Sequence, residues 1–393
     1  MSGDASQEIL LDVTRLIWRR WRGGLPTGVD RVCLAYLDNY ERRARAVVQR
    51  KGIHLTFSNR SSQELFKLLL RGGSDFRRRL LMFAGKASLS LLQSRPQAAA
   101  IYLNVGHTGL DEPSLPAWIA RHRLYAVYLI HDLIPITHPQ FCRPDEDRKH
   151  ERRMRNMLAS ARGIIGNSQA TVDDVAALAE RLGMPLPDSI AVWLGGNALR
   201  RRNKPPQADR PYFVVLGTIE GRKNHSLLLE VWRRLVAQNG AQAPKLLIVG
   251  TRGWQADDVF RQLDSLGPLQ GFVEERSHCS DEELAQVMAG ARALLMPSHA
   301  EGYGLPVFEA LAFGIPVIAT DLPVYREVAG SIPTYLASDD VPGWEDAVTS
   351  YTRESIERAA QLKRMQGFKV PNWKAHFAVV EPWLEKLVDQ SEQ

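Results

Sequence analysis

Two carboxylates, Glu301 and Glu309, stand eight positions apart in the Gly-rich stretch EGYGLPVFE. The apolar run Leu294–Met296 before them predicts a strand, and Pro306 stands where the first residue of a helix is expected. A strand, a Gly-rich turn and a helix N-terminus expose backbone N–H groups that favour a phosphate. Carboxylates accept hydrogen bonds from sugar hydroxyls. Phosphate and sugar recognition on one turn predicts a nucleotide-sugar site.

A second candidate region is the loop GTIEGRKNHS, residues 217–226, between a strand pattern and a helical pattern. Arg222 and Lys223 lie where such a loop would carry them to the carboxyl end of the strand. Fixed cations there could stabilise the charge of a departing nucleoside diphosphate without a metal ion. Asn224 and His225 are expected to shape the turn and start the helix rather than contact substrate.

The N-terminal half holds two histidines at predicted strand ends. His131 stands at the end of the apolar strand pattern of residues 124–132, and His107 follows another strand pattern. The carboxyl end of a strand in an α/β domain favours a functional side chain, most of all for His131. Thr27 and Gly28 precede an amphipathic helix, whose N-terminus could approach a phosphate closely because both residues are small.

Acidic residues of the N-terminal half have simpler explanations. Asp145, Glu146 and Asp147 spell a DxD sequence that could hold a metal, but the charged run around them predicts a solvated helix start. Asp30 could bond a sugar, although a favourable interaction with the helix dipole explains it better. No metal site is therefore predicted.

Four ordered segments carry a family resemblance. The stretch EGYGLPVFE and residues 214–232, 245–250 and 280–298 resemble retaining glycosyltransferases of family 4, which have the GT-B fold. The resemblance implies an α/β fold of two Rossmann-like domains whose parallel sheets face across a cleft. It also implies sugar transfer from a nucleotide-sugar donor to a glycan or lipid-linked acceptor, with no metal or other cofactor.

The same resemblance implies roles for particular residues. His131, Lys223 and Glu301 match catalytic positions of the family. A larger set matches donor-binding positions: Thr27, Gly28, Thr218, Arg222, Lys223, Arg276, Tyr303, Gly304, Leu305 and Glu309. Within this set Glu309 is expected to hold the ribose, and Arg276 is a candidate for the nucleobase. Many relatives have arginine where this chain has Thr218, which leaves more charge neutralisation to Arg222 and Lys223 or suggests another cation.

Composition and periodicity define the domains. The 393 residues, 45% hydrophobic and 24% charged, suit a globular protein of two or three domains. Alternating strand and helix patterns predict parallel sheets, and the Pro-rich stretch 201–211 resembles a linker. We therefore expect domains over 1–200 and 201–370, with a last helix in 371–393 that packs back on the first domain.

The predicted location is the cytoplasm, at the inner face of the cytoplasmic membrane. No signal peptide or transmembrane stretch is evident, and three widely spaced cysteines suit a reducing compartment. Residues 41–100 hold 13 Lys or Arg against 3 acidic residues, a net charge of +10, whereas the whole chain has +6. Within residues 63–95 these cations alternate with Leu and Phe, which favours an anionic membrane surface. The alternatives are amphipathic helices with solvated basic faces or, less favoured, nucleic acid, for which no binding motif is present.

Two other functions remain compatible with these residues. A nucleotide-sugar epimerase of GT-B fold would keep the base and phosphate contacts but need acid and base groups near the sugar C2. A non-catalytic protein that binds a nucleotide-sugar or serves as a scaffold would not need Glu301, Lys223 and His131 together. The loop at 217–220 resembles mannosyltransferases of polysaccharide assembly, which suggests GDP-mannose as donor.

Overall fold

The computed structural model describes residues 7–23, 27–87, 95–196, 209–277 and 279–389, so residues 201–208 of the predicted linker lie outside the described residues. The chain forms two compact units. Unit 1 comprises the residues up to Leu133, Arg148–Leu194 and the residues from Trp373 onward. Unit 2 comprises Ile134–Asp147 and Gly195–Asn372.

Unit 1 is built on a seven-stranded sheet of order β3-β2-β1-β4-β5-β6-β7. Every neighbouring pair is parallel except β2 and β3 at one edge, which are antiparallel. The strands are β1 (Ile9–Asp12), β2 (Ala44–Arg50), β3 (Ile53–Thr56), β4 (Ile101–Asn104), β5 (Tyr125–Ile130), β6 (Ala161–Gly166) and β7 (Asp188–Ala191). The central strands β1, β4 and β5 are almost fully buried, as expected for a sheet covered by helices on both faces.

Unit 2 is built on a six-stranded parallel sheet of order β10-β9-β8-β11-β12-β13. The strands are β8 (Tyr212–Leu216), β9 (Lys245–Val249), β10 (Val273–Arg276), β11 (Leu294–Met296), β12 (Val317–Thr320) and β13 (Thr334–Leu336). Counted from β8, this is the 3-2-1-4-5-6 order of a Rossmann sheet, and the order reverses between β8 and β11. Ligands of such sheets bind at the carboxyl ends of the strands beside that reversal.

Helices connect the strands in both units. In unit 1 they are α1 (Thr14–Arg22), α2 (Gly28–Tyr40), α3 (Asn59–Arg71), α4 (Phe76–Ala87), α5 (Ser114–His122), α7 (Glu146–Ser160), α8 (Gln169–Leu182) and α16 (Trp373–Asp389). In unit 2 they are α6 (Ile134–Thr137), α9 (His225–Asn239), α10 (Asp257–Asp264), α11 (Asp281–Gly290), α12 (Leu305–Phe313), α13 (Pro323–Ala329), α14 (Val341–Thr352) and α15 (Ile356–Arg364). Within the described ranges, none of these helices is long and apolar enough to cross a bilayer.

Local signals in the sequence explain several helix ends. Helix α12 has Pro306 in its first turn and ends at Gly314, whose φ of 84° is the left-handed conformation that glycine adopts easily. Helix α7 begins at Glu146, which confirms that the DxD sequence is a helix start. The start of α12, one residue before Pro306, agrees with the sequence-based expectation.

The segment Ile134–Asp147 packs with unit 2, although the sequence-based boundary placed it within residues 1–200. The Phe141 ring stacks on the His299 ring, with 4.7 Å between centroids and 1° between planes. The Arg143 guanidinium lies 4.9 Å from the centroid of the Trp254 ring. These aromatic and cation–π contacts hold the segment to the loops that follow β9 and β11.

Helix α16 is fixed to unit 1 through a buried histidine. The His376 Nδ1 lies 2.9 Å from the Trp193 carbonyl oxygen, and its Nε2 lies 2.8 Å from the Tyr36 hydroxyl. A carbonyl only accepts, so Nδ1 carries the proton and Nε2 accepts from Tyr36. His376 is 2% exposed, and burial lowers its pKa to about 4 against the weaker opposing effect of the Trp193 carbonyl. The ring is therefore neutral in the folded protein at pH 7.

Because His376 has a low pKa in the folded protein, we expect acid to destabilise unit 1. Below pH 6.5 the unfolded His376 takes up a proton that the folded ring, with a pKa of about 4, does not. The free energy of unfolding should therefore fall as pH drops from 6.5 towards 4, by about 2 kcal/mol from this residue at pH 5. Urea unfolding of wild type and His376→Gln at pH 7 and pH 5 measures the contribution of His376 to this pH dependence. The variant should be less stable than wild type at pH 7, and the difference in their free energies of unfolding should be smaller at pH 5. An equal difference at both pH values would contradict this assignment.

Candidate functional site

The loops after β8 and β11, neighbouring strands at the reversal of the unit 2 sheet, carry a cluster of charged side chains. Glu301 forms ion pairs with the Lys223 ammonium and with Arg222, whose Nη1 lies 2.9 Å from Glu301 Oε2. The Ser298 hydroxyl donates to Glu301 Oε1 at 2.7 Å. The Glu301 side chain is only 6% exposed. The structure thus brings together Arg222, Lys223 and Glu301, three of the residues predicted from the sequence.

Arg222 is held at both ends of its guanidinium. Its Nη1 also donates to the Ala300 carbonyl at 3.0 Å, and its Nε lies 2.6 Å from Oε1 of Glu220. The Glu220 side chain is 2% exposed. Because two carboxylates and a carbonyl hold one planar group, its orientation is set before any ligand binds.

Backbone geometry explains how the β8 loop reaches the β11 loop. Asn224 has φ of 54°, and its amide donates to the carbonyls of Pro297 and Ser338 at 3.2 and 2.8 Å. The His299 N–H donates to the Arg222 carbonyl at 2.8 Å. These bonds fasten the two loops together, and they confirm that Asn224 shapes the turn.

The charges of the cluster set its protonation. Burial alone would raise the pKa of Glu301, but the neighbouring Lys223 and Arg222 lower it to about 2. Burial lowers the pKa of the Lys223 ammonium, against the opposing effect of the Glu301 carboxylate. Burial raises the pKa of Glu220, although Arg222 and Lys223 act in the opposite direction. Glu301 is therefore a fixed carboxylate at neutral pH, whereas Glu220 is the more easily protonated acid.

The loop that carries Glu301 leads into α12, and this turn and helix contain four predicted donor residues. Gly304, with φ of 82°, precedes the helix, and a Cβ there would lie 2.3 Å from a ring carbon of Tyr325. Tyr303 is 5% exposed and packs with its ring centroid 4.8 Å from that of Phe308. Leu305 opens the helix, and Glu309, 7% exposed, lies in its second turn. The first-turn N–H groups of α12 thus lie in the loop region that carries Glu301.

Two other predicted donor residues of unit 2 lie outside the Glu301 cluster. Thr218 lies two residues after the end of β8, and a Cβ on Gly253 would lie 2.5 Å from its methyl group. Arg276 ends β10, two strands from β8, and its Nε lies 2.6 Å from Glu274. The nucleobase role of Arg276 stays a prediction.

In unit 1, Thr27 and Gly28 lie exposed at the N-terminus of α2. Asp30 is 2% exposed and accepts from the Thr27 N–H at 2.7 Å. Arg15 and Arg19 contact the same carboxylate at 2.7 and 2.9 Å. Asp30 therefore caps the helix and binds two arginines, which agrees with a structural role. The donor-phosphate role of Thr27 and Gly28 stays a prediction.

His131 lies directly after β5 and is 7% exposed. Its Nε2 lies 2.8 Å from the Val105 carbonyl oxygen, so Nε2 carries the proton. Burial lowers the pKa of His131 to about 4, against the opposing effect of the Val105 carbonyl. The ring is therefore neutral at pH 7, and its Nδ1 is unprotonated.

The His107 ring lies beside the His131 ring, and the His150 ring lies beside that of His107. The His107 ring centroid is 4.9 Å from that of His131 and 6.1 Å from that of His150. His107 Nε2 lies 2.9 Å from the Leu129 carbonyl, on the strand that leads to His131. His150 Nε2 lies 3.2 Å from the Asp132 carbonyl. The two neighbours therefore fix the backbone on both sides of His131.

Sequence reasoning missed Glu220, Ser298 and His150. The first two had a weak local signal: Glu220 shares one short loop with two cations, and Ser298 precedes Glu301 by three residues. His150 had none, because α7 reaches the strand-end region only through the fold.

Comparisons with known proteins agree with this architecture. Residues 198–362 match the family "Glycosyl transferases group 1". Over 253 residues the chain is 30% identical to O-antigen chain mannosyltransferase B of Escherichia coli, a match that covers 62% of this chain and 64% of that protein. It is 28% identical over 262 residues to the serotype-specific mannosyltransferase WbdA of E. coli, over 61% of this chain and 31% of that protein. The chain thus spans less than two thirds of the length of these curated relatives.

Solved structures show the same fold. HepE of Anabaena in complex with UDP matches 96% of this chain and 99% of its own, with a TM-score of 0.65 at 15% identity. Sucrose-phosphate synthase of Thermosynechococcus elongatus matches 98% and 100%, with a TM-score of 0.61 at 16% identity. The two Rossmann-like units thus have the GT-B fold. Within this fold, residues 198–362 form a glycosyl transferases group 1 domain.

Proposed function

We propose that the protein is a retaining, metal-independent glycosyltransferase. It transfers a sugar from a nucleotide-sugar to a glycan or lipid-linked acceptor in the synthesis of a cell-surface polysaccharide. The observation that carries this proposal is the convergence of Arg222 and Lys223 on Glu301 at the reversal of the unit 2 sheet. Two cations and a helix N-terminus at this position suit a diphosphate, and a fixed carboxylate suits a sugar.

The chemistry follows from the charge of each group. As the glycosidic bond breaks, negative charge develops on the diphosphate, and Lys223, Arg222 and the first-turn N–H groups of α12 stabilise it. Glu301, with a pKa of about 2, stays a carboxylate; it orients the donor sugar and supports positive charge at the anomeric carbon. Acceptor attack on the face that the diphosphate leaves retains the configuration, and the leaving phosphate takes the acceptor proton.

For His131 we propose a positioning role towards a substrate hydroxyl. Its Nε2–H is committed to the Val105 carbonyl at 2.8 Å, so Nδ1 is the nitrogen left for substrate. With a pKa of about 4 that nitrogen accepts a hydrogen bond at pH 7 rather than donating one.

The proposed donor is GDP-mannose. The relatives support mannose, since O-antigen chain mannosyltransferase B and the serotype-specific mannosyltransferase WbdA are both named for its transfer. Calorimetric titration of the purified protein with GDP-mannose, GDP-glucose, UDP-glucose and dTDP-glucose tests the choice. GDP-mannose should bind most tightly, and mannose should reach a saccharide acceptor with its anomeric configuration retained.

Other results of this titration would point to the rival functions. Conversion of a nucleotide-sugar to its epimer in the absence of acceptor would identify an epimerase. Binding with no turnover on any saccharide or lipid-linked acceptor would identify a non-catalytic binding protein. If none of the four nucleotide-sugars binds, the proposed function is wrong.

Transfer should survive EDTA. Lys223, Arg222 and the α12 N-terminus supply the positive charge that a divalent ion would otherwise provide. EDTA at about 5–10 mM exceeds any carried-over ion. We expect the initial rate in its presence to stay within about twofold of the untreated rate, since the charge contacts remain intact. Loss of turnover on chelation, with recovery on added magnesium or manganese, would contradict the metal-independent mechanism.

We further propose that unit 1 places the protein at the inner face of the cytoplasmic membrane. Helix α4 exposes Leu81 and Met82, at 62% and 54%, together with the charged side chains of Arg77 and Arg78. Large apolar groups beside cations suit the headgroup region of an anionic bilayer.

An apolar cavity lined in part by α4 supports the same membrane-binding surface. Its volume is about 470 Å³, and its lining includes Trp18, Trp21, Leu80, Leu81 and Phe83. Arginines lie at two of its aromatic walls, with Arg77 5.7 Å from the Trp21 ring and Arg50 5.2 Å from the Trp18 ring. Residues 88–94 of the predicted membrane-binding segment lie outside the described residues.

A further inference from the structure

The charges around Glu301 cancel before any donor binds. Arg222 and Lys223 contribute two positive charges, and Glu220 and Glu301 contribute two negative charges within the same network. A nucleotide-sugar brings two more negative charges on its diphosphate. A buried site with no net charge has little electrostatic attraction for such an anion. The attraction would increase if one of its carboxylates lost its negative charge.

The two carboxylates differ in how firmly their charge is held. Glu301 receives hydrogen bonds from Lys223, Arg222 and Ser298. Glu220 receives one ion-pair contact, from Arg222 Nε to Oε1 at 2.6 Å. Among the described residues, its second oxygen Oε2 is buried and has no hydrogen-bond partner. Protonation at Oε2 therefore removes the charge of Glu220 without breaking any of these contacts.

We propose that Glu220 takes up a proton when the donor diphosphate binds beside Arg222 and Lys223. The proton comes from solvent, the net charge of the four side chains rises from zero to +1, and the proton returns to solvent when the nucleoside diphosphate leaves. Throughout the cycle Oε1 still accepts from Arg222, so Glu220 is a positioning residue for this guanidinium as well as the group that sets the charge of the site. The inference rests on the proposed function.

The surroundings of Glu220 leave this role to it alone among the carboxylates of the network. The charged groups that face it within the described residues are Arg222, Lys223 and Glu301. The loop after β9 also packs against it, since a Cβ on Gly253 would lie 3.5 Å from Glu220 Cβ. The charged residue of that loop, Arg252, is bound instead to Asp264 and Glu275, each at 2.7 Å.

Calorimetry with GDP-mannose, without acceptor, tests the proposal. The two phosphates of this diester do not titrate between pH 5.5 and 8.5, so proton uptake reports on the protein. We expect binding heats in two buffers of different ionisation enthalpy to reveal uptake by the wild type. As pH rises, the Kd of the wild type for GDP-mannose should increase, in total by about tenfold for each unit by which bound donor raises the pKa of Glu220. Glu220→Gln should lose that uptake, bind at pH 8.5 at least about tenfold more tightly than wild type, and have a flat pH profile.

Two further variants give controls. Glu354→Gln removes a carboxylate of unit 2 that pairs with Arg292 and Arg358 away from this network, and it should behave as wild type. Glu220→Asp keeps an ionisable group and should retain the uptake. If Glu220 only positioned Arg222, Glu220→Gln would keep the wild-type uptake and pH slope, and that result would overturn the inference.

The outcomes separate this inference from the proposed function. Failure of the wild type to bind GDP-mannose or any other nucleotide-sugar of the panel overturns both. Binding of normal strength with equal uptake in wild type and Glu220→Gln overturns the inference alone. Should the glutamine variant not fold, the infrared difference spectrum of the wild type decides. Addition of GDP-mannose should then produce the C=O band of a protonated carboxyl group, and absence of that band overturns the proposal.

Discussion

Replacement of Lys223 by methionine is expected to lower kcat at least about a hundredfold. Methionine keeps most of the length and apolar surface of a side chain that is 7% exposed, but it removes the ammonium paired with Glu301. The charge that develops on the leaving diphosphate then loses its contact, which costs on the order of 3 kcal/mol in the transition state. Steady-state rates with GDP-mannose and a saccharide acceptor measure the effect.

The loss should be larger in kcat than in donor affinity, because the leaving group gains charge only as its bond breaks. Lys245→Met is a suitable control, since Lys245 pairs with Asp209 at 3.2 Å at the start of β9 and should not affect turnover. Thermal unfolding of the Lys223 variant shows whether the fold persists. An unchanged kcat in a folded Lys223→Met protein would remove this residue from the reaction.

Binding to anionic vesicles should fall about a hundredfold when Leu81 and Met82 are both replaced by aspartate. Each apolar side chain contributes about 1.5–3 kcal/mol when it leaves water, and each introduced carboxylate is repelled by an anionic surface. Both side chains are largely exposed, so unit 1 should keep its stability. Co-sedimentation with vesicles of phosphatidylglycerol and phosphatidylcholine measures the change.

A matched control exists on unit 2. Ile356, 85% exposed on α15, is a large apolar side chain outside the basic region, so Ile356→Asp should sediment like wild type. Activity on a water-soluble acceptor should be similar in all three proteins. If the Leu81→Asp, Met82→Asp variant sediments as well as wild type, α4 is only a solvated face.

Several central strands of the two sheets could be predicted from the sequence. β5, β8 and β9 appear as continuous apolar runs because strands buried on both faces leave no polar alternation. The edge strands β3 and β7 were not predicted from the sequence, since they are four residues long and partly exposed. The fold class followed from the alternation of strands and helices, whereas the edges of each sheet needed the structure.

The candidate site was predictable where function depends on a contiguous turn. Glu301 and Glu309 stand on one loop and helix, and Lys223 stands on the loop of the neighbouring strand, so sequence order and sheet order together reveal them. Glu220 shares its loop with Lys223, but this weak signal did not single it out. Its proposed role depends on an oxygen that is buried and, among the described residues, has no hydrogen-bond partner, a property that exists only after packing. Likewise His150 approaches His107 through tertiary structure alone.

The order in which the chain is made bears on the role of α16. Most of unit 1 leaves the ribosome before residues 195–372, but the histidine that bonds Tyr36 and the Trp193 carbonyl lies in residues 373–389. Synthesis of the roughly 195 residues between Leu194 and Asp389 takes about 10–40 s at bacterial or eukaryotic rates. During that interval Tyr36 and Tyr40 lack the Phe377 ring of the helix that covers them, while Gly195–Asn372, most of unit 2, emerges. The unit that begins first is therefore completed last, and the nascent chain exposes an apolar surface that a chaperone could recognise.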